Sequence, residues 1–434
     1  MNLPYPVIFI PGITASYLQD EYPVDPETIW SVLSKDYDRI ALHPNDLRYE
    51  AIQPARVKSG KLFEVAYKEI IEELRYNLAH SEDQPVPVYP FAYDWRMPLE
   101  IAQKQLDEFI REVINRTKLL KHYYAQGYAE DAKVNLIGHS MGGLVLAGYL
   151  CDKGIAAPVH KVITLASPFQ GSFEAIIKVT TGTANLGTSP PSSREREAAR
   201  IMPGLYHLIP SFFYGVQEDP NLPNSFYDPG IWQESIYQSL EEFIRLKGLP
   251  TEDIKGEARK LLTALLNQAK EHRDKLDNFK LENAGLDKSK WLAVVGVDSE
   301  TRVKIQISLV GELPVFEFHS DDRMNGWSNN DEVNKKYTGD GTVPFEGAIP
   351  KFLPMESLVC VTPDDYGYWE IQDRVVTKVA GFHGILPNMD MLHRMIVRFL
   401  KDLPDAKGNT WGRPAPGVKN EDWAPPLQLR NKNL

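Results

Sequence analysis

The chain is poor in cysteine and in uninterrupted apolar sequence, and it carries no excess of positive charge. Only Cys151 and Cys360 occur in 434 residues, one in an expected helix and one in an expected strand. Neither has the spacing partners of a metal site or a disulfide framework, so free buried thiols are expected, with a single Cys151–Cys360 bridge left open. No window approaches the roughly 18 consecutive apolar residues of a membrane span. Before the apolar run Val7–Ile10 there is no basic start, no apolar stretch of secretory length and no small-residue cleavage site, which predicts a cytoplasmic chain or one already trimmed. Lys plus Arg total 48 against 59 Asp plus Glu, a formal charge of −11, and that balance disfavours nucleic acid as a partner. No internal repeat is visible.

What the chain does have is enough apolar sequence for a large core, 43% of residues, and one stretch that organises the rest. Val134-Asn-Leu-Ile-Gly138-His-Ser140-Met-Gly142-Gly-Leu-Val-Leu146 reads as a buried strand, a sharp turn and a helix. Gly138, Ser140 and Gly142 form the G-x-S-x-G nucleophile elbow, in which side chains at the two glycine positions would collide with the flanking strand and helix. An opening strand ending at Pro11-Gly12-Ile13-Thr14 leaves backbone amides free after a tight turn. In α/β-hydrolases such a loop gives one half of the oxyanion hole and the residue after the nucleophile gives the other, which assigns the donors to Ile13 and Met141, with Thr14 able to replace Ile13.

Residues 1–171 and 291–402 read as two parts of one core. Strands alternate with helices, Lys61 to Leu78 and Pro98 to about Tyr124 among them, which implies a parallel sheet. The stretch 15–60 reads as an irregular excursion, with Trp30 placed either in local packing or at a lipid surface. Residues 172–290 read as a largely helical cap inserted at the strand ends, where α/β sheets keep their sites. Thr180 to Arg200 is expected to be a mobile loop. Strands are expected at Ser357 to Val361 and Arg374 to Val379, and the five-proline tail over 403–434 is expected as an extended strap or partly disordered. Phe169, Leu205, Leu208 and Phe212, together with Thr14, are the candidate substrate-binding residues, because an apolar underside to a cap suits a greasy substrate.

A serine hydroxyl needs a base within hydrogen-bond reach, held in one tautomer by an acid, and in this fold class the order is serine, acid, histidine. His383, between glycines beyond the last expected strand, is the leading base, with His319 as runner-up. His393 falls inside the last helix, and His139 is expected to pack. Asp340, in the glycine-flanked turn before Thr342-Val343, leads as acid over Asp298.

Pro11-Gly12, Tyr93-Asp94-Trp95-Arg96, Gly138-His-Ser-Met-Gly142-Gly143, Ser167-Pro168-x-x-Gly171-Ser172, Gly339-Asp-Gly-Thr-Val-Pro344 and His383-x-x-Leu386 occur in this order. Together they resemble the lecithin:cholesterol acyltransferase family, which includes phospholipid:diacylglycerol acyltransferases and phospholipases A, over roughly residues 4 to 171 and 291 to 400. The resemblance implies an α/β-hydrolase fold, a mostly parallel central sheet flanked by helices with the inserted cap. It also implies a Ser140, Asp340, His383 triad, Ile13 and Met141 as oxyanion donors, and lipid ester chemistry. Acyl transfer through a serine calls for no metal or organic cofactor. Vertebrate members close a loop with cysteines where 15–60 here has none. The expected activity is lipase-, esterase- or phospholipase-like hydrolysis, with acyl transfer to an acceptor alcohol as the alternative and a non-catalytic lipid-binding protein as the second. The cap is the expected point of peripheral contact with a lipid surface.

Overall fold

The computed structural model describes residues 3–31, 33–52, 54–182, 193–213, 216–218, 220, 222–326, 336–367, 370, 381–405 and 412–429. Six apolar runs form its central sheet: β1 (Val7–Ile10), β2 (Val88–Pro90), β3 (Val134–His139), β4 (Val159–Leu165), β5 (Trp291–Gly296) and β6 (Val359–Val361). Their order is β2-β1-β3-β4-β5-β6, and every pairing is parallel. β1, β3 and β5 are buried at every residue, which is why they read as continuous apolar runs: a parallel sheet carries helices on both faces. This is the α/β-hydrolase architecture expected from the sequence.

Eight longer helices accompany the sheet: α1 (Glu64–Leu78), α2 (Leu99–Lys118), α3 (Met141–Lys153), α4 (Phe173–Thr181), α5 (Ser193–Arg200), α6 (Glu234–Lys247), α7 (Ile254–Asp277) and α8 (Asp390–Leu400). In α2 the buried residues Leu99, Ala102, Leu106, Ile110 and Val113 recur at three- and four-residue intervals, the signature of one packed face. α3 is different. Its residues from Met141 to Leu150 are all buried, because it sits beneath α2 and α7. Close packing there requires Gly148: a β-carbon added to it would lie 2.0 Å from Gln103 Nε2 and 2.9 Å from His272 Nε2.

Two expectations differ from what is observed, and a third, left between two alternatives, is decided. The excursion contains a small antiparallel sheet of Ser16–Asp20, Glu27–Trp30 and Val57–Leu62. Its strands were illegible because register shifts between Ser16 and Leu18 and between Leu18 and Gln19 break the period-two alternation on which strand reading depends. Within the expected loop, α5 occupies Ser193–Arg200 and α4 reaches Thr181; residues 183–192 lie outside the described residues, as does the whole of the expected strand Arg374 to Val379. Trp30 is packed, 5% exposed, with its indole N–H donating to Thr14 O at 2.9 Å and its ring 4.9 Å from that of Trp95.

Tyr93-Asp94-Trp95-Arg96 fastens the excursion to the core. The fully buried Arg96 guanidinium bonds Asp94 at 2.6 Å, Glu50 at 2.8 Å and Ile40 O at 3.0 Å. Both margins of the sheet are engaged. At β6, Cys360 exchanges backbone hydrogen bonds with Arg413, and Trp423 Nε1 donates to Leu358 O. At β2, the Arg75 guanidinium of α1 donates twice to Val88 O, at 2.9 and 3.2 Å. Cys151 and Cys360 are both free. Among the described residues, no helix is long and apolar enough to cross a membrane.

Candidate active site

The strand β3 delivers Ser140 to a sharp turn flanked by Gly138 and Gly142. Ser140 holds φ 52° and ψ −127°, a conformation that costs a non-glycine residue on the order of 1–3 kcal/mol. The surrounding space explains the two glycines. A β-carbon on Gly142 would stand 2.3 Å from Ile10 O, and one on Gly138 would stand 2.5 Å from Leu146 Cδ2 and 2.7 Å from Gly143 N. The elbow lifts the serine toward the carboxyl ends of the strands, and it is 5% exposed.

Ser140 Oγ lies 2.9 Å from His383 Nε2, and His383 Nδ1 lies 2.7 Å from Asp340 Oδ2. A buried carboxylate accepts, so Nδ1 carries the proton and Nε2 is left to accept from the serine hydroxyl. Asp340 is itself fixed: its Oδ1 accepts from the amides of Thr342 (3.0 Å) and Val343 (2.7 Å), and its carbonyl accepts from His383 N at 2.9 Å. Gly296 at the end of β5 admits the turn, since a β-carbon there would fall 2.5 Å from Asp340 Cβ. The competing candidates are placed elsewhere. His319 is half exposed beside Glu317 at 3.5 Å. Asp298 sits at positive φ with its amide bonded to Thr338 Oγ1, and burial raises its carboxyl above the ordinary range.

The turn after β1 lies against the serine: a β-carbon on Gly12 would be 3.0 Å from Ser140 Cβ. Met141 opens α3, where first-turn amides have no intrahelical acceptor. Ile13 follows Gly12, and Thr14, at φ 63°, is pinned through its carbonyl by Trp30. Of the remaining substrate-binding candidates, Phe169 packs edge-on to Phe352 at 5.3 Å, in a cluster reaching Trp291. Leu205 and Leu208 are buried in the segment whose Gly204 N bonds Arg96 O. Phe212 is half-buried against Phe173, ring centroids 5.4 Å apart.

Two residues take parts that the sequence did not assign them. His139, 3% exposed, turns away from the serine as expected but does more than pack. Its Nε2 is 2.9 Å from His383 O, its Nδ1 is 2.8 Å from Tyr67 Oη, and that oxygen accepts from Gly12 N at 3.0 Å. Burial, reinforced by the neighbouring His383, holds the His139 pKa well below its ordinary value, so the ring is neutral. A carbonyl only accepts, which puts the proton on Nε2 and makes Nδ1 the acceptor from Tyr67. Donation therefore runs in one direction, from Gly12 N–H through Tyr67 and His139 to the His383 carbonyl. Tyr67, on the inner face of α1, gave no sequence signal beyond that of a core aromatic.

A serine on a strained elbow at the carboxyl end of a parallel sheet, bonded to a histidine and a buried carboxylate, defines the class: this is an α/β-hydrolase. Within that class, residues 53–246 match the model of the family described as lecithin:cholesterol acyltransferase, the family that the motifs resemble. The match supports an ester-acting enzyme of hydrolase or acyltransferase type. An uncharacterized protein of Saccharomyces cerevisiae is 28% identical over 168 residues, 38% of this chain but only 23% of the yeast protein. Among solved structures, a chain of the Tle4–Tli4 complex superposes with a TM-score of 0.58 at 13% identity, covering 92% of this chain and 99% of that one. Bacillus licheniformis lipase BlEst2 gives 0.36 at 12% identity, covering 92% of each chain.

Proposed function

We propose that the protein is a serine-dependent acyl-transfer enzyme acting on carboxylic esters of lipids, with hydrolysis as its principal outcome. The observation that carries this reading is the continuous hydrogen-bonded line from Ser140 Oγ through His383 to Asp340, at 2.9 and 2.7 Å. In this mechanism His383 Nε2 takes the proton of Ser140 as Oγ attacks the ester carbonyl, and the tetrahedral oxyanion is held by the amides of Ile13 and Met141. The buried Asp340 stabilises the imidazolium. The leaving alcohol departs with the proton from His383, and water, activated by the same histidine, resolves the acyl-enzyme. The lipid part of the proposal is supported by the family match and by the apolar segment Leu205–Phe212. Residues 172–290 act as the cap over the site, and Leu246 in the last turn of α6 and Leu249 just beyond it, each about 60% exposed, are its natural contacts with a lipid surface.

The test is intact-mass detection of a phosphonate adduct on wild type and Ser140→Ala, alongside turnover of p-nitrophenyl esters of graded chain length. A serine-dependent adduct is expected, with turnover rising toward long chains and falling by about 10³-fold or more in Ser140→Ala. Adding acceptor alcohols to the same assay separates hydrolysis from transfer. No adduct in folded protein overturns the assignment, and turnover confined to short chains overturns its lipid part.

A further inference from the structure

The turn that carries Asp340 is held from behind as well as by its own amides. Asp340 is 1% exposed. Two backbone N–H groups on one carboxylate oxygen, those of Thr342 at 3.0 Å and Val343 at 2.7 Å, leave its Oδ2 aimed at His383. Each of these N–H groups belongs to a peptide whose carbonyl points the other way. The Gly341 carbonyl, in the peptide of the Thr342 amide, accepts from Arg323 Nη2 at 3.4 Å. The Thr342 carbonyl, in the peptide of the Val343 amide, accepts from Ser172 Oγ at 2.5 Å.

Both donors are anchored in one helix. Ser172 is the N-cap of α4, and its Oγ also accepts from Glu174 N at 3.2 Å. Arg323 Nη1 pairs at 3.1 Å with the buried Glu174 carboxylate in the first turn of α4, while Nη2 also donates to Glu300 O at 3.1 Å. Arg323 stands on a two-stranded ribbon, Thr301–Arg302 against Arg323–Met324, whose Thr301 Oγ1 accepts from Gly341 N at 2.7 Å. A donor at the carbonyl of a peptide polarises it and strengthens the bond that its N–H makes on the far side. Loss of either donor therefore frees one peptide to rotate and weakens its hold on Asp340 Oδ1.

We propose that Ser172 and Arg323 are positioning residues for the acyl-transfer reaction, fixing the two peptides that aim Asp340 at His383. The inference rests on the serine-dependent reading above. Among the described residues, neither side chain bonds Ser140 or His383, so each acts through the acid. The effect falls on turnover rather than on substrate binding. A tilted carboxylate supports the imidazolium less well, and the imidazolium forms only as the serine attacks.

The experiment measures kcat and KM of the full chain on a long-chain p-nitrophenyl ester, with kcat referred to the serines titrated by a phosphonate so that any misfolded fraction drops out. Ser172→Gly removes one donor and largely spares the helix cap; Arg323→Ala removes the other. Each is expected to lower kcat about 10-fold, short of the roughly 10²-fold that a 1 Å misplacement costs, with KM within about twofold of wild type. Arg323→Lys, which keeps a cationic donor, should recover part of the rate lost in Arg323→Ala. With wild type labelled at Ser140 and turning over, unchanged kcat in either single variant, a change confined to KM, or no recovery in Arg323→Lys overturns this inference alone. A wild type that takes no phosphonate overturns the serine reading, and this inference with it.

Discussion

Tyr67→Phe removes one oxygen and tests the chain of hydrogen bonds that joins the turn after β1 to the His383 loop. The substitution leaves two buried polar groups without partners: Gly12 N–H, now 3.0 Å from nothing that accepts, and His139 Nδ1, which lost a donor at 2.8 Å. Each orphaned group costs about 1–3 kcal/mol, so a loss of roughly 2–6 kcal/mol is the outer range. Local relaxation brings the expectation to about 3 kcal/mol, read as a shift of the urea midpoint at unchanged slope. Because Gly12 precedes the proposed oxyanion donor Ile13, kcat on a long-chain ester is expected to fall by about 10-fold with little change in KM. That is less than the roughly 10²–10³-fold cost of deleting an oxyanion donor outright. His139→Leu and the double variant complete a cycle, and residues sharing one buried bond should couple by about 0.5–3 kcal/mol. A single variant within about 0.5 kcal/mol of wild type, together with additive energies in the cycle, would refute the directional network and reduce Tyr67 to packing.

Other outcomes follow from the same structure. His139, His207 and His272 are buried with pKa values held down by desolvation, His207 to about 3. An unfolded histidine takes up its proton near pH 6.5. Below about 6.5 the unfolded state therefore binds more protons, and stability should fall as pH drops, by at most about 1.4 kcal/mol per pH unit per histidine. Melting temperatures that stay flat from pH 7 to 5 would contradict this. Gly142→Ala drives a methyl to 2.3 Å from Ile10 O; a backbone shift costing about 1–3 kcal/mol or more and near-complete loss of phosphonate labelling are expected, and full labelling would show that the elbow is not so tightly packed. Burial pushes the Cys151 thiol up to about 12 and raises that of Cys360. Both thiols should resist an aromatic disulfide reagent at pH 8 and react only after denaturation; fast labelling of Cys360 in the native protein would count against its placement in the sheet.

The legible parts of this chain were those fixed by short-range sterics or by burial on two sides. The strands β1, β3 and β5 are solid apolar runs, and the elbow glycines are dictated by contacts within a few residues. Asp340 is preferred to Asp298 from its flanking glycines alone, and the structure gives those glycines a reason in the Val343 carbonyl and Thr301 crowding Gly339 and in the positive φ of Gly341. What stayed hidden depends on contacts far apart in sequence. Tyr67 and His139 are joined across 72 residues and His139 and His383 across 244, and no local pattern encodes such a pairing. The small sheet over Ser16–Leu62 was hidden for another reason: short strands with bulges lose the alternation that identifies a strand. α5, in contrast, is a strongly charged helix, Ser-Arg-Glu-Arg-Glu-Ala-Ala-Arg, whose single buried edge is too narrow to set it apart from a polar loop.

The engaged margins of the central sheet bear on how the protein behaves in crowded solution. An unpaired strand edge is a template on which a neighbouring chain can grow. Here the Arg413 backbone occupies that role at β6 and a guanidinium blocks it at β2, where Pro87 and Pro90 also withhold amide donors. One bridging residue of the C-terminal segment thus stands where the backbone of a further strand would pair. Its removal would turn a self-limited sheet into one able to propagate from molecule to molecule, and the first sign would be light scattering that rises with concentration while secondary structure is retained.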